Sequence, residues 1–376
     1  MSALLETVDP DGLLEFSVVF TDRSLNHMSA RFGQVMRDID AGLRQVYGAD
    51  ATAIVPGGGT FAMEAVARQF AGDRKVLVVR NGWFSFRWSQ IVEAGGITSE
   101  SVVMKARQVG NEAAAPFAPP PVEEVVTRIH AERPAVVFAP HVETSAGIIL
   151  PDDYIAALAG AAHEVGALMV LDCIASGCAW VDMAATGVDV LISAPQKGWS
   201  STPCAGLVML SQRALARMEE TRSDSFAMDL AKWRSIMAAY EGGGHAYHAT
   251  MPTDGLAAFC DTMAETLDWG TDRVCAAQWD LGGKVRALLA ARGIRSVAAE
   301  GYGAPGVVVS YTDDPGVRSG AKFAANGVQI AAGVPLQVDE PRGFSTFRIG
   351  LFGLDKLYDV DATVTRLEAA LDAAMG

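Results

Sequence analysis

Leu168-Met169-Val170-Leu171-Asp172-Cys173-Ile174-Ala175-Ser176 is a short apolar run that stops abruptly at a carboxylate. A run of this kind, without polar alternation, reads as a parallel strand buried on both faces. Asp172 then falls at its carboxyl end, where open α/β sheets place their ligands. The form repeats downstream: Val188-Asp189-Val190-Leu191-Ile192-Ser193 is another apolar run, and Ser193-Ala194-Pro195-Gln196-Lys197-Gly198 delivers Lys197 from the loop just beyond it. One crossover separates the two runs, so Asp172 and Lys197 are expected to reach one crevice from neighbouring strand ends.

Working outward toward the N-terminus, residues 1–15 read as an arm and 16–20 as a short extended segment feeding the polar loop Thr21-Asp22-Arg23-Ser24-Leu25-Asn26-His27. Phe32, Val35, Met36, Ile39, Leu43 and Val46 then recur at three- and four-residue steps, an amphipathic helix that Gly48 ends. Gly57-Gly58-Gly59-Thr60 opens a good helix former, residues 61–70. Glycines at a helix start leave backbone N–H groups uncovered at the positive end of the dipole, where an anion can approach; the plainer reading is a glycine-rich turn with Thr60 as the cap. The stretch matches neither the GxGxxG nor the Walker pattern. Residues 75–80 read as a strand, and the Asn81-Gly82 turn after it presents Trp83, Phe84, Phe86 and Trp88, aromatic faces that can stack on a planar ring.

Residues 109–121 read as a surface loop, 122–132 as a helix and 135–140 as a strand that ends in His141-Val142-Glu143-Thr144-Ser145-Ala146-Gly147. His141 is expected to be a satisfied supporting group; Thr144 and Ser145 either donate hydrogen bonds to a ligand or turn the chain. Helix 152–165 leads into the Asp172 strand. Residues 207–210 read as a strand, 212–222 as a surface helix and 223–252 as a less regular stretch. A long helix from Asp254 crosses near Gly270 into a second unit with strands at 306–311 and 347–350. A C-terminal helix there carries Val360, Val364, Leu367 and Leu371 on one face. The expected division is therefore an arm (1–15), a large domain (16–269) and a small one (270–376), as suits a chain of 376 residues.

Thirty basic against forty-four acidic residues give a formal charge of −14, with no Lys/Arg run, which argues against nucleic acid and anionic membranes as partners. Residues 1–10 have neither a basic start nor a long apolar stretch, so no signal peptide or membrane span is expected and the cytoplasm is the default location. Cys173, Cys178, Cys204, Cys260 and Cys275 form no CxxC pair, and neither a disulfide framework nor a metal site is expected.

A lysine and an aspartate in one dry crevice can form a buried ion pair. Alternatively, Lys197 holds pyridoxal phosphate as a Schiff base while Asp172 pairs with the protonated pyridine nitrogen. On these two residues alone both readings stand, and the rest of the chain favours the second. Asp172, Ser176, Gln196 and Lys197, the His141–Gly147 block and the late Phe347-Arg348-Ile349-Gly350 together resemble the class V aminotransferases of fold type I, most closely the alanine-, serine-glyoxylate and 2-aminoethylphosphonate-pyruvate group.

That resemblance implies an α/β fold with a mostly parallel seven-stranded sheet and a smaller C-terminal α+β domain. It also implies a homodimer with shared active sites, and ping-pong transfer from a small amino acid to a 2-oxo acid such as glyoxylate or pyruvate. Residue by residue, it implies Gly58, Gly59 and Thr60 at the cofactor phosphate, Phe84 stacked on its ring, with Trp83 as neighbouring candidate, and Thr144 by the phenolic oxygen. Asp172 would meet the ring nitrogen, Ile174 the opposite face and Gln196 the phosphate beside Lys197, while Tyr247 and Thr250 would come from the second subunit. Arg348 would clamp the substrate carboxylate. The family's early G-P-G-P loop is replaced here by residues 18–27, so Arg23 and Asn26 become the candidates for substrate specificity. A desulfurase would need a nucleophilic cysteine late in the chain, and none follows Cys275. A 2-aminoethylphosphonate transaminase, whose phosphonate Arg348 could hold in place of a carboxylate, and a binding module that has lost catalysis are the remaining alternatives; the intact Asp172, Lys197 and Arg348 set speaks against the second.

Overall fold

The computed structural model describes residues 7–375; the first six residues of the expected arm lie outside the described residues. The long apolar runs become a seven-stranded sheet: β1 (Ala51–Pro56), β2 (Val76–Arg80), β3 (Ser101–Lys105), β4 (Val136–Pro140), β5 (Leu168–Asp172), β6 (Val190–Ser193) and β7 (Ala205–Leu210). Their order is β1-β7-β6-β5-β4-β2-β3, and only β7 runs antiparallel to its neighbours. In register, Asp172 stands between Pro140 and Ile192, so β4, β5 and β6 end level and release their following loops at one edge. Since β1 is antiparallel to β7, it ends at that edge too and brings Gly57–Thr60 there.

Helices cover both faces. α1 (Ala30–Tyr47) is capped by the Ser29 side chain, which accepts from Phe32 N, and ends at Gly48 with φ 65°. α2 (Gly59–Phe70), α3 (Trp83–Ala94), α4 (Val122–Glu132) and α5 (Asp152–Glu164) follow β1, β2, β3 and β4 as crossovers, and α6 (Gln212–Glu220) follows β7. The core around the sheet is continuous from Leu25 to Met263.

Three stretches differ from the sequence reading. The supposedly irregular 223–252 contains α7 (Leu230–Glu241), capped by Asp229 and burying Trp233, Ile236, Met237 and Tyr240; polar neighbours on its outer face mask that period. Within 109–121, Phe117–Ala118 pairs with Arg107–Gln108, and Phe117 is buried against the C-terminal part of the chain rather than looping over the surface. The Asn81-Gly82 turn is the entrance of α3, which places the aromatics on a helix and not in a loop.

α8 (Thr253–Trp269) and α9 (Thr271–Ala291) meet at Gly270, whose φ of 97° only glycine adopts readily. Beyond it a three-stranded antiparallel sheet, β8 (Val307–Tyr311), β9 (Ala331–Ala332) and β10 (Thr346–Gly350), is backed by α9 and α10 (Val360–Met375) around a second core that includes Phe323, Phe347 and Leu371. No described helix is long and apolar enough to cross a membrane.

Candidate active site

Asp172 ends β5 with its side chain buried; Oδ1 accepts from Ile174 N at 3.0 Å. Burial, with the charge of Glu143 adding to it, pushes its carboxyl up to about 7 against the pull of the Ile174 hydrogen bond and of Arg87. Lys197 lies in the turn after β6, its Nζ 5.1 Å from the Phe352 ring centroid. Burial and then the charge of Arg348 lower its pKa. Among the described residues Lys197 forms no ion pair, so the two groups share an edge without neutralising one another. Their loops are pressed together: a Cβ on Gly198 would come within 2.0 Å of the Gly177 carbonyl oxygen.

The start of α2 lies against the same loop. A Cβ on Gly59 would meet Ile174 Cδ1 at 2.4 Å, whereas one on Gly58, the N-cap, would meet nothing within 4 Å. No side chain caps α2, and Thr60 Oγ1 accepts a hydrogen bond from Arg87 at 2.9 Å rather than serving as the cap. Phe84, on the first turn of α3, has the guanidinium carbons of Arg87 and Arg348 at 5.2 and 5.6 Å from its ring centroid. Arg348 comes from β10, and its Nε donates to the Ala332 carbonyl at 2.8 Å.

Glu143, which the sequence reading quoted without a role, organises this wall. Fully buried, it accepts from Phe84 N and Ser85 N at 3.2 and 2.8 Å, from Ser85 Oγ and Ser145 Oγ at 2.7 Å each, and from Ser145 N at 3.1 Å. A carboxylate at the α3 N-terminus opposes the helix dipole and fixes the turn that carries Phe84. Ser145 is thereby engaged, while Thr144 beside it is buried. His141 is a satisfied group, as read: its Nδ1 lies 2.7 Å from Ser176 Oγ, and burial pushes its pKa down to about 4. Two amides nearby in sequence have buried atoms without partners among the described residues: Oε1 of Gln196, and both Oδ1 and Nδ2 of Asn81.

The remaining sequence candidates stand apart. Tyr247 Oη and Thr250 Oγ1 lie 3.1 Å from each other, with Tyr247 half-exposed. Thr250 borders an open cleft of about 550 Å³ beside Gly57 and Thr202. Asn26 is buried in its loop, against the end of the arm: Nδ2 donates to Glu15 Oε2 at 2.8 Å and Ser17 Oγ at 3.3 Å, and Oδ1 accepts from Met28 N. Arg23 is exposed on the same loop, which Asp254 ties to α8 through Ser24 Oγ and Leu25 N. A larger cavity, about 1070 Å³, lies between arm residues such as Leu13, Leu14 and Phe16 and the start of α1, and includes none of the residues around Lys197.

Sequence reasoning missed Glu143 and Arg87. The signal for Glu143 was a carboxylate in a block directly after a fully apolar strand, where burial demands donors. For Arg87 it was a cation three residues after Phe84 on a helix, hence on the same face.

Among characterised relatives, the soluble hydrogenase small subunit of Synechococcus sp. is 28% identical over 355 residues, covering 92% of this chain and 87% of that protein. The 2-aminoethylphosphonate–pyruvate transaminase of Burkholderia thailandensis is likewise 28% identical over 355 residues, covering 92% and 90%. The crystal structure of a subgroup IV aspartate aminotransferase from Thermus thermophilus superposes with a TM-score of 0.76 at 26% identity, covering 94% of each chain. The family model for aminotransferase class-V matches residues 15–299, about three quarters of the sequence, and the chain belongs to that family.

Proposed function

We propose that this chain is a pyridoxal-phosphate-dependent transaminase that moves an amino group from a small amino acid to a 2-oxo acid such as glyoxylate or pyruvate, in ping-pong fashion. The observation that carries this reading is the pair of buried Asp172, at the end of β5, and half-buried Lys197, in the loop after the adjacent β6, which leave each other unpaired. An acid and an amine kept apart in a dry crevice are each short of a partner that a ligand can supply.

The residues present fit the cofactor. The Gly58 cradle is open, the Asp172 carboxylate accepts only one backbone hydrogen bond, and Gln196 holds an unmet oxygen. Bound there, pyridoxal phosphate would supply the electron sink for a carbanion at the substrate α-carbon. Asp172 keeps a proton on the ring nitrogen, and Lys197, whose amine burial makes easier to deprotonate, moves the proton at the α-carbon. The Gly59 and Thr60 N–H groups and Gln196 hold the phosphate. Phe84 and Ile174 would hold the ring between them, Thr144 would donate to its phenolic oxygen, and Arg348 would orient the substrate carboxylate.

Tyr247 and Thr250, exposed and bonded to one another, are read as the contribution of a second copy to its neighbour's phosphate, so the working unit is a homodimer. Arg23 is the candidate for a second anionic group; Asn26 is left out of the substrate set because its amide is already engaged.

The test is visible absorbance of the purified protein that borohydride bleaches, with the reduced adduct mapped to Lys197, followed by a screen of amino donors against glyoxylate and pyruvate. A protein that takes up no aldehyde, or an adduct on another lysine, would overturn the assignment. The B. thailandensis relative supports a second reading, with 2-aminoethylphosphonate as donor and Arg348 on the phosphonate. Turnover with that donor but not with alanine or serine would select it.

A further inference from the structure

Arg87 has no role in the proposed chemistry above, yet it touches two residues that do. It stands on the second turn of α3, donates to Thr60 Oγ1 at 2.9 Å and holds its guanidinium carbon 5.2 Å from the Phe84 centroid. It forms no ion pair among the described residues, although arginines at 68, 107, 234 and 292 all find carboxylates. Arg74, Arg80, Arg286 and Arg348 also lack an acid among the described residues, but Arg80 and Arg286 spend their guanidinium donors on backbone carbonyls and Ser89, whereas Arg87 spends its own on a hydroxyl at the open start of α2. A threonine hydroxyl that accepts from a guanidinium has its own hydrogen left to donate, and Thr60 sits in the first turn of a helix that no side chain caps.

We propose that Arg87 is the fixed cation of the phosphate cradle: through its charge and through the oriented Thr60 hydroxyl, it holds the phosphate monoester of the cofactor at the start of α2. The inference rests on the cofactor reading above and adds a residue that this reading does not use. The same guanidinium, laid against Phe84, fixes the ring wall next to the cradle, so one side chain sets the distance between the phosphate and the ring. The charge of Arg87 also opposes the rise of the Asp172 pKa, which places it within electrostatic reach of the ring-nitrogen end. Lysine could supply the charge but not the planar fork that reaches Thr60 while lying along an aromatic face.

The experiment compares pyridoxal phosphate with pyridoxal, which has the same aldehyde and ring but no phosphate. The full-length protein, freed of cofactor, is titrated with each by absorbance and protein fluorescence as wild type, Arg87→Met and Arg87→Lys, with circular dichroism confirming the fold. Arg87→Met is expected to weaken pyridoxal phosphate by about tenfold or more, the scale of a hydrogen bond to a charged group, and to leave pyridoxal within about twofold. Arg87→Lys is expected to fall between. Equal losses for both aldehydes would show that Arg87 acts only by holding Phe84, and would overturn the proposal. Unchanged affinity for both, with a raised KM for a dicarboxylic donor, would assign Arg87 to substrate and overturn it as well. A wild-type chain that takes up neither aldehyde would overturn the transaminase reading, and this inference with it.

Discussion

Replacing Asp172 by Asn should make the cofactor-free protein more stable while crippling its chemistry, and the size of the first effect follows from burial. The folded chain holds this carboxyl at about 7 against an ordinary 3.8, so it binds the proton more tightly than the unfolded chain by about 4 kcal/mol. The sign is that of a raised acid. Between the two pKa values the folded state carries a proton that the unfolded state has lost, so stability falls as pH rises through this window and levels off above it. About 3 kcal/mol of that loss lies between pH 5 and pH 8.

Urea unfolding of the cofactor-free wild type and Asp172→Asn at those two pH values isolates the effect. His141, whose pKa is pushed down to about 4 and whose contribution has the opposite slope, is common to both proteins and cancels. The variant should gain on the wild type by about 3 kcal/mol from pH 5 to pH 8, and its proton-transfer rate with amino donor should drop severely because the ring nitrogen loses its partner. Parallel pH profiles would refute the claim that the carboxyl is held at the cost of stability. Near-normal turnover would make Asp172 structural.

Lys197→Ala should keep the fold and its circular dichroism but lose the borohydride-fixed adduct; an adduct of wild-type yield would remove Lys197 from its role. Glu143→Gln leaves buried donors at the α3 entrance facing an amide, and should cost about 2–3 kcal/mol in chemical denaturation; an unchanged midpoint would show that the Phe84 turn does not depend on it. Thr250→Ala should weaken pyridoxal phosphate binding by about 1–2 kcal/mol, and dilution of the wild type should release cofactor as dimers part. A fully active monomer in sedimentation velocity would refute the shared site.

What the sequence carried clearly was periodicity. Helix 122–132 was readable to the residue, and the Asp172 strand to its last residue, because a fully buried parallel strand has no polar interruptions to blur its end. Where the pattern was mixed, it failed. The outward face of α7 is polar enough to dilute its apolar stripe, and β1 merged with the glycine run that follows it. The site was harder still, since its contacts join residues distant in the chain. Glu143 meets Phe84 and Ser85 across 59 and 58 positions, and Asn26 meets Glu15 at the end of an arm that gives no periodic signal. Composition reveals that a glutamate exists; only the fold reveals that it is fully buried and surrounded by donors.

The same fold explains why Asp172 and Lys197 do not simply close on one another. Parallel neighbours in register release their loops side by side, and the Gly198 backbone rests on the Gly177 carbonyl with no room for a side chain between them. This contact fixes the Lys197 turn against the loop that follows Asp172, and the Ser200 hydroxyl, accepting from Leu354 N at 3.0 Å, pins the far side of the turn to the C-terminal part of the chain. A lysine on a mobile loop would be free to swing onto the nearest buried carboxylate and neutralise it. Held from both sides, Lys197 leans on Phe352 instead, and Asp172 keeps an oxygen without a partner. The burial of Asp172 without a cationic partner is thus maintained by packing elsewhere, which is the expected arrangement for a site organised before its ligand arrives.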